Sequence, residues 1–183
     1  MPEPNILRIA QQGEPILAQR AANVTNLHDA TIQNLIDDMQ ATLLAANGVG
    51  IAAPQVFISL RIIIIASRPK PRYPDAPLME PLAMINPEIC WQSPDTCTGW
   101  EGCLSVPDAR APVSRSNHLR VRYLTRKGEI IETEYVGFVA RIIQHECDHL
   151  DGVLFPERVT DVTEILSEAM FQKIMIKNVT FNH

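Results

Sequence analysis

Phe138-Val139-Ala140-Arg141-Ile142-Ile143-Gln144-His145-Glu146-Cys147-Asp148-His149-Leu150-Asp151-Gly152 carries two patterns at once. Val139, Ile142, Ile143 and Leu150 recur at helical spacing, so a helix from about Phe138 to His149 turns one side into a core. Gly152 supplies its stop. His145 and His149 stand four apart on one face, where both imidazoles can grip one metal ion. Glu146 lies about 100° further round and reaches a water on that metal without being a ligand. This HExxH spacing is that of two ligands and a general base. The bland alternative is a solvated surface helix with two ordinary histidines. The apolar residues ahead of His145 oppose it, because a buried helix must turn its polar stripe toward something polar. Cys147 falls on the far side and is expected in the core.

A catalytic site of this kind needs a third protein ligand and an open position. A metzincin-type arrangement fails, since Phe155 stands where its third histidine belongs. A thermolysin-like metallopeptidase takes a glutamate from a later helix, and Glu168 or Glu164 is available for that. Upstream, Glu101-Gly102-Cys103-Leu104-Ser105 reads as a short glycine-containing turn, in which the Cys103 thiolate completes a Cys/His/His set. A free cysteine is more often a small buried hydrophobe. A non-catalytic structural metal module with Cys97 or Cys90 as fourth ligand is a further alternative, but leaves Glu146 without a purpose.

Working outward, Asn26 to Ala46 is helical, with Ile32, Leu35, Ile36, Met39 and Leu43 on one face and a stop at Asn47-Gly48. Gly48-Val49-Gly50-Ile51-Ala52-Ala53-Pro54-Gln55 follows; its glycines allow close backbone approach and Gln55 offers an uncharged amide. It is not a nucleotide loop, having neither the GxGxxG spacing nor a following Lys-Ser/Thr. Arg61 to Ala66 is a buried strand, and Met84 to Trp91 another. Leu119 to Leu124 and Glu129 to Val136 form a hairpin through Lys127-Gly128. Arg68 to Pro81, with Pro69, Pro71, Pro74, Pro77 and Pro81, is a surface loop. A last helix is expected over about 161–177, with Asp161 and Glu164 placed as a capping box. The fold class is α+β: mostly antiparallel β-sheets around a central HExxH-bearing helix, with N-terminal and C-terminal helices, in a single domain spanning 1–183.

The 183 residues are 46% apolar and 20% charged, which excludes wholesale disorder. A net charge of -5 argues against a broad nucleic-acid surface. Ile62-Ile63-Ile64-Ile65-Ala66, the most apolar run, has strand length and cannot span a membrane. Met1-Pro2-Glu3-Pro4-Asn5 has no basic n-region, so a reducing cytoplasm is the expected location. There the four cysteines form no disulfide framework, and any special one is a ligand or nucleophile.

Three stretches together, Gly48 to Gln55, Glu101 to Ser105 and Gln144 to Gly152, resemble the peptide deformylase motifs GxGΦAAxQ, EGCxS and QHExDHLxG. The likeness implies a metal-dependent hydrolase that removes the N-formyl group from the N-terminal formylmethionine of new polypeptides, releasing formate. It implies Cys103, His145 and His149 as metal ligands and Glu146 as the proton carrier. Gln55 and the backbone N–H of Leu104 would stabilise the oxyanion. Val49 would line an apolar methionine pocket, and the Gly50 backbone would hold the substrate. The implied cofactor is one divalent metal: Fe2+ first, with Zn2+, Ni2+ or Co2+ as alternatives on ligand softness. The implied partners are N-formylmethionyl peptides of nascent chains. A transient ribosome contact through the C-terminal helix is possible in the family, with no membrane and no nucleic acid beyond the ribosome.

Overall fold

The computed structural model describes residues 3–69, 73–74 and 76–180, the side chains of 176–180 excepted. Pro71, used in the sequence reading, lies outside that set. Seven strands and three α-helices follow in order. They are α1 (Ala30–Ala45), β1 (Gly50–Ala52), β2 (Ile62–Ile65), β3 (Leu82–Gln92), β4 (Thr96–Cys103), β5 (Val106–Ser116), β6 (His118–Leu124), β7 (Ile130–Val136), α2 (Gly137–Leu150) and α3 (Glu168–Thr180).

Strands β1-β2-β3-β6-β7 make a five-stranded sheet in that order, and β4-β5 a two-stranded one. Every strand pair is antiparallel. The larger sheet has a core on each face, which is why β2 reads as four consecutive isoleucines rather than as an alternation. Ile63 and Ile65 pack with Met84, Leu119 and Val121 against Ala140, Ile143, Cys147 and Leu150 of α2. Ile62 and Ile64 turn the other way, with Ile85, against Ile36, Met39 and Leu43 of α1. Each fully buried isoleucine contributes about 2 kcal/mol by area, so these two layers anchor both helices to one strand.

Helix α1 starts at Ala30, not at Asn26, because the Asp29 side chain accepts from Thr31 N at 2.9 Å and fixes the cap there. It ends where Asn47 turns left-handed at φ 52. The hairpin through Lys127-Gly128 is present, with Gly128 at φ 88 and β6 paired to β7 from Leu124↔Ile130 to His118↔Val136.

Two further expectations fail. Glu101 to Ser105 is not merely a turn: residues up to Cys103 belong to β4, only Leu104 and Ser105 turn, and the chain returns along β5. The prolines in β5 hide that strand from a propensity reading; Pro112 is tolerated because the two-stranded sheet is all edge. Nor does one helix cover 161–177. Asp161 does cap, accepting from Thr163 N at 2.9 Å, but only a 3-10 turn at Val162–Glu164. Leu166 then pairs its N–H and C=O with Arg110 at 2.8 Å each, which holds the backbone extended until α3 begins at Glu168. Among the described residues no helix is long and apolar enough to cross a membrane.

Gly152 closes α2 at φ 76, and a Cβ there would lie 2.8 Å from the Ala18 carbonyl carbon in the 3-10 turn Pro15–Ala18. Backbone cannot yield as a side-chain tip can. Gly152→Ala should therefore destabilise the protein by about 1–3 kcal/mol, read as a lower urea midpoint; an unchanged midpoint would refute the contact.

Candidate metal centre

Two elements build the site. Cys103 ends β4 and lies partly buried; His145, Glu146 and His149 come from the last two turns of α2. Cys103 Sγ stands 3.2 Å from His149 Nε2, and the nearest ligand atoms of Cys103, His145 and His149 all fall within 4.8 Å of one another. Among the described residues this is the one cluster of three or more such donors. Glu168 is not in it: its carboxylate meets Arg110 Nε at 2.6 Å. Glu164 is exposed, and so are Cys90 and Cys97. The thermolysin-like and structural-module alternatives therefore lose their ligands. Cys147 is buried against the sheet, as its helix position requires.

Burial opposes ionisation of the Cys103 thiol, yet His149 and His145 beside it outweigh that and hold it well below its ordinary value. The reciprocal holds for His145: burial would lower it, but Cys103 and Glu101 raise it well above the usual imidazole range. Metal ligation demands a thiolate and neutral imidazoles, so binding a cation here releases protons.

His145 is oriented from behind. Its Nδ1 lies 2.9 Å from Glu101 Oε2, which leaves Nε2 for a metal. Glu101 is itself gripped by Arg115, Nε to Oε1 and Nη2 to Oε2 at 3.0 Å each, and by Arg141 Nη1 at 2.8 Å. Arg115 continues to Asp148 at 2.6 Å, where Arg158 adds two more bonds. Burial would raise the Glu101 carboxyl, but His145 and then Arg115 outweigh it and keep the group far below the usual range. Arg115 thus serves both carboxylates that flank the ligands, Glu101 and Asp148.

Glu146 is 4% exposed, and its Oε2 has no hydrogen-bond partner among the described residues. Burial pushes its carboxyl up to about 7, against the pull of His145 and His149. Gly50 is the floor beneath it: a Cβ at Gly50 would sit 2.2 Å from Glu146 Oε1. The close backbone approach read from this glycine is thus made first to the carboxylate.

Gln55 is buried, and its orientation is pinned. Oε1 accepts from Ala52 N at 2.8 Å, so Nε2 turns to Ser105 Oγ at 3.1 Å and Cys103 Sγ at 3.5 Å. The N-terminal segment ties both pieces together, Ala10 N to Gln55 O at 2.8 Å and Gln12 N to Ser105 O at 2.7 Å.

A cleft of about 290 Å³ opens over these groups, with Val49, Gly50, Gln55, Cys103, Leu104, His145 and Glu146 in its lining. His149 lies behind this lining. The sequence reading missed Phe138 and Ile142, also in the wall. Their spacing from His145 places all three on one helical stripe, which was the available signal. Tyr73 closes on Phe138 with ring centroids 4.7 Å apart, and no sequence pattern announced that pairing.

Residues 6–164 match the family model described as polypeptide deformylase. "Peptide deformylase 2" of Nostoc sp. is 54% identical over 175 residues, 96% of this chain and 98% of that protein. "Peptide deformylase 2" of Shewanella oneidensis is 49% identical over 152 residues, 83% of each. Among solved structures, a class I type b peptide deformylase from Acinetobacter baumannii with Met-Ala-Ser bound superposes with a TM-score of 0.83 at 55% identity, covering 84% of this chain and 98% of that one. The peptide deformylase of Thermotoga maritima gives 0.77 at 38% identity over 86% and 99%.

Proposed function

Because the chain belongs to the polypeptide deformylase family and so removes the N-formyl group from nascent peptides as a metal-dependent hydrolase, we propose that Cys103, His145 and His149 hold the metal and Glu146 carries the proton. In that reading the HExxH order in α2 is ligand, base, ligand. The observation behind it is the meeting of one sulfur and two ring nitrogens, from separate elements, within 4.8 Å. The residues fit such a group: the donors suit a first-row divalent ion, and the buried, unpartnered Glu146 Oε2 is costly unless a water reaches it.

A divalent cation bound there supplies Lewis acidity, polarising the formyl carbonyl and easing deprotonation of a water. Glu146 takes that proton on its carboxylate as the water oxygen attacks the formyl carbon. Negative charge then builds on the former carbonyl oxygen. The Gln55 Nε2–H and the Leu104 backbone N–H are assigned to it; a preorganised donor of this type is worth about 3 kcal/mol. Gln55 is preorganised because Ala52 N holds its other end. Glu146 returns the proton to the leaving amine as the carbon–nitrogen bond breaks, giving formate and a free N-terminal methionine.

Val49, with Phe138 and Ile142, forms the wall assigned to the methionine side chain, and the Gly50 backbone holds the peptide. The Acinetobacter baumannii relative is described with Met-Ala-Ser bound, a peptide that begins as the product here would. A formyl carbon bears hydrogen where an internal peptide carbonyl bears chain, so a confined site admits the first and rejects the second.

We assign iron(II) as the working metal, with zinc, nickel or cobalt able to replace it. We place the enzyme in the cytoplasm and read 1–183 as one catalytic domain. Transient ribosome contact would fall to α3, where Lys173 is exposed. Anaerobically purified protein should release formate from formyl-Met-Ala peptide and carry iron. Air should inactivate that form while sparing the nickel-exchanged one. No formate under either metal would overturn the function, and equal air sensitivity would overturn iron.

A further inference from the structure

We propose that Arg141 is a positioning residue of the metal centre: it clamps the Cys103-bearing hairpin onto the histidine-bearing helix and holds Glu101 against His145. The inference rests on the ligand assignment above and goes beyond it, to what keeps ligands from two independent elements in register.

Nothing covalent fixes β4 to α2, yet Cys103 must stay a few ångströms from His145 and His149. Arg141, one turn before His145, makes the join. Its Nη1 donates to Glu101 Oε1 at 2.8 Å, to Val113 O at 2.8 Å and to Gly99 O at 3.3 Å, while Nη2 donates to Cys97 O at 2.5 Å. One planar group thus reaches both strands of the hairpin as well as the carboxylate that orients a ligand. Gly99 makes room for it: a Cβ there would lie 3.1 Å from the guanidinium carbon. Arg141 borders the cleft, but its guanidinium bonds run to Glu101 and the hairpin backbone, so it acts through them.

The same stripe of α2 is polar along its length, and each member binds the hairpin. Gln144 exchanges two bonds with the Ser116 backbone at 3.1 and 2.9 Å, and Asp148 receives Arg115 at 2.6 Å. Arg141 differs from these in touching the first strand, β4, at Cys97, Gly99 and Glu101. A lysine lacks the planar fork and cannot reproduce the Nη1 and Nη2 bonds together. Leucine would strand buried carbonyls and free Glu101 Oε1 from one of its two cations.

The test uses full-length protein loaded with cobalt(II), comparing wild type, Arg141→Leu, Arg141→Lys and Asn86→Ala. Asn86 is a remote stability control, left-handed at φ 50 and bonded to the Val24 backbone at 2.8 and 2.9 Å. The readouts are the thiolate-to-cobalt charge-transfer band, the cobalt Kd by chelator competition, the melting temperature, and kcat and KM. Arg141→Leu should weaken cobalt binding and lower kcat by about 10–100-fold each, shift the band, and change KM less. Arg141→Lys should move the same way by a smaller step. Asn86→Ala should melt earlier with band and Kd intact. If both Arg141 variants keep the wild-type band and Kd whatever their melting temperature, the positioning role is refuted; if Arg141→Leu does not fold, Arg141→Lys decides. A wild type that shows no thiolate band would instead sink the ligand assignment itself.

Discussion

Glu146→Gln is expected to cut kcat for formyl-Met peptides by at least about 10³-fold, near the upper range for loss of a positioned general base, with metal content unchanged. The glutamine is isosteric, so the packing against Gly50 survives, and Glu146 is not among the three clustered donors. What disappears is a group able to accept the water proton and return it to the leaving amine. The wild-type carboxyl suits that task, since burial brings it to about 7 rather than leaving it an indifferent surface acid. A Glu146→Gln enzyme retaining a tenth of wild-type kcat would remove Glu146 from the mechanism, and metal loss in that variant would show that it ligates instead. Formate release and metal analysis on one preparation separate the outcomes.

Cys103→Ala is expected to weaken metal binding by roughly 10²-fold or more, about 3 kcal/mol as one ligand's share of a structural-type site, and to abolish turnover at micromolar metal. The loss also leaves His149 Nε2 without its 3.2 Å sulfur neighbour. Glu168→Gln supplies the contrast. It breaks an ion pair with Arg110 at the rim of the cleft and should leave metal stoichiometry intact. Metal retained in Cys103→Ala and lost in Glu168→Gln would reverse the assignment of the third ligand.

Local patterns carried much of this structure because local physics made them. An apolar stripe at helical spacing made α1 and α2 legible. Four successive isoleucines mean a strand covered on both faces, and Lys127-Gly128 between two β-rich runs means a hairpin. The β4–β5 hairpin was not legible. Its glycines and prolines read as loop, and its buried positions mix Val106, Ala111 and Val113 with Glu101, Arg115 and Ser116, which breaks any clean apolar alternation. The start of α3 was obscured for a similar reason: Leu166 pairs with Arg110, a partner 56 positions away that no local window contains.

By itself the sequence settled that one helix presents His145 and His149 on a single face with Glu146 beside them, since the geometry of a helix turns spacing into direction. Spacing alone left the third ligand open between Cys103 and the glutamates of the last helix, and it was the likeness of three motifs that named Cys103. Only the tertiary structure brings Cys103 to the rings, by folding β4 back, and turns Glu168 away to Arg110. Distances between separate elements depend on packing and on buried ion pairs, and neither is written in the spacing of residues along a chain.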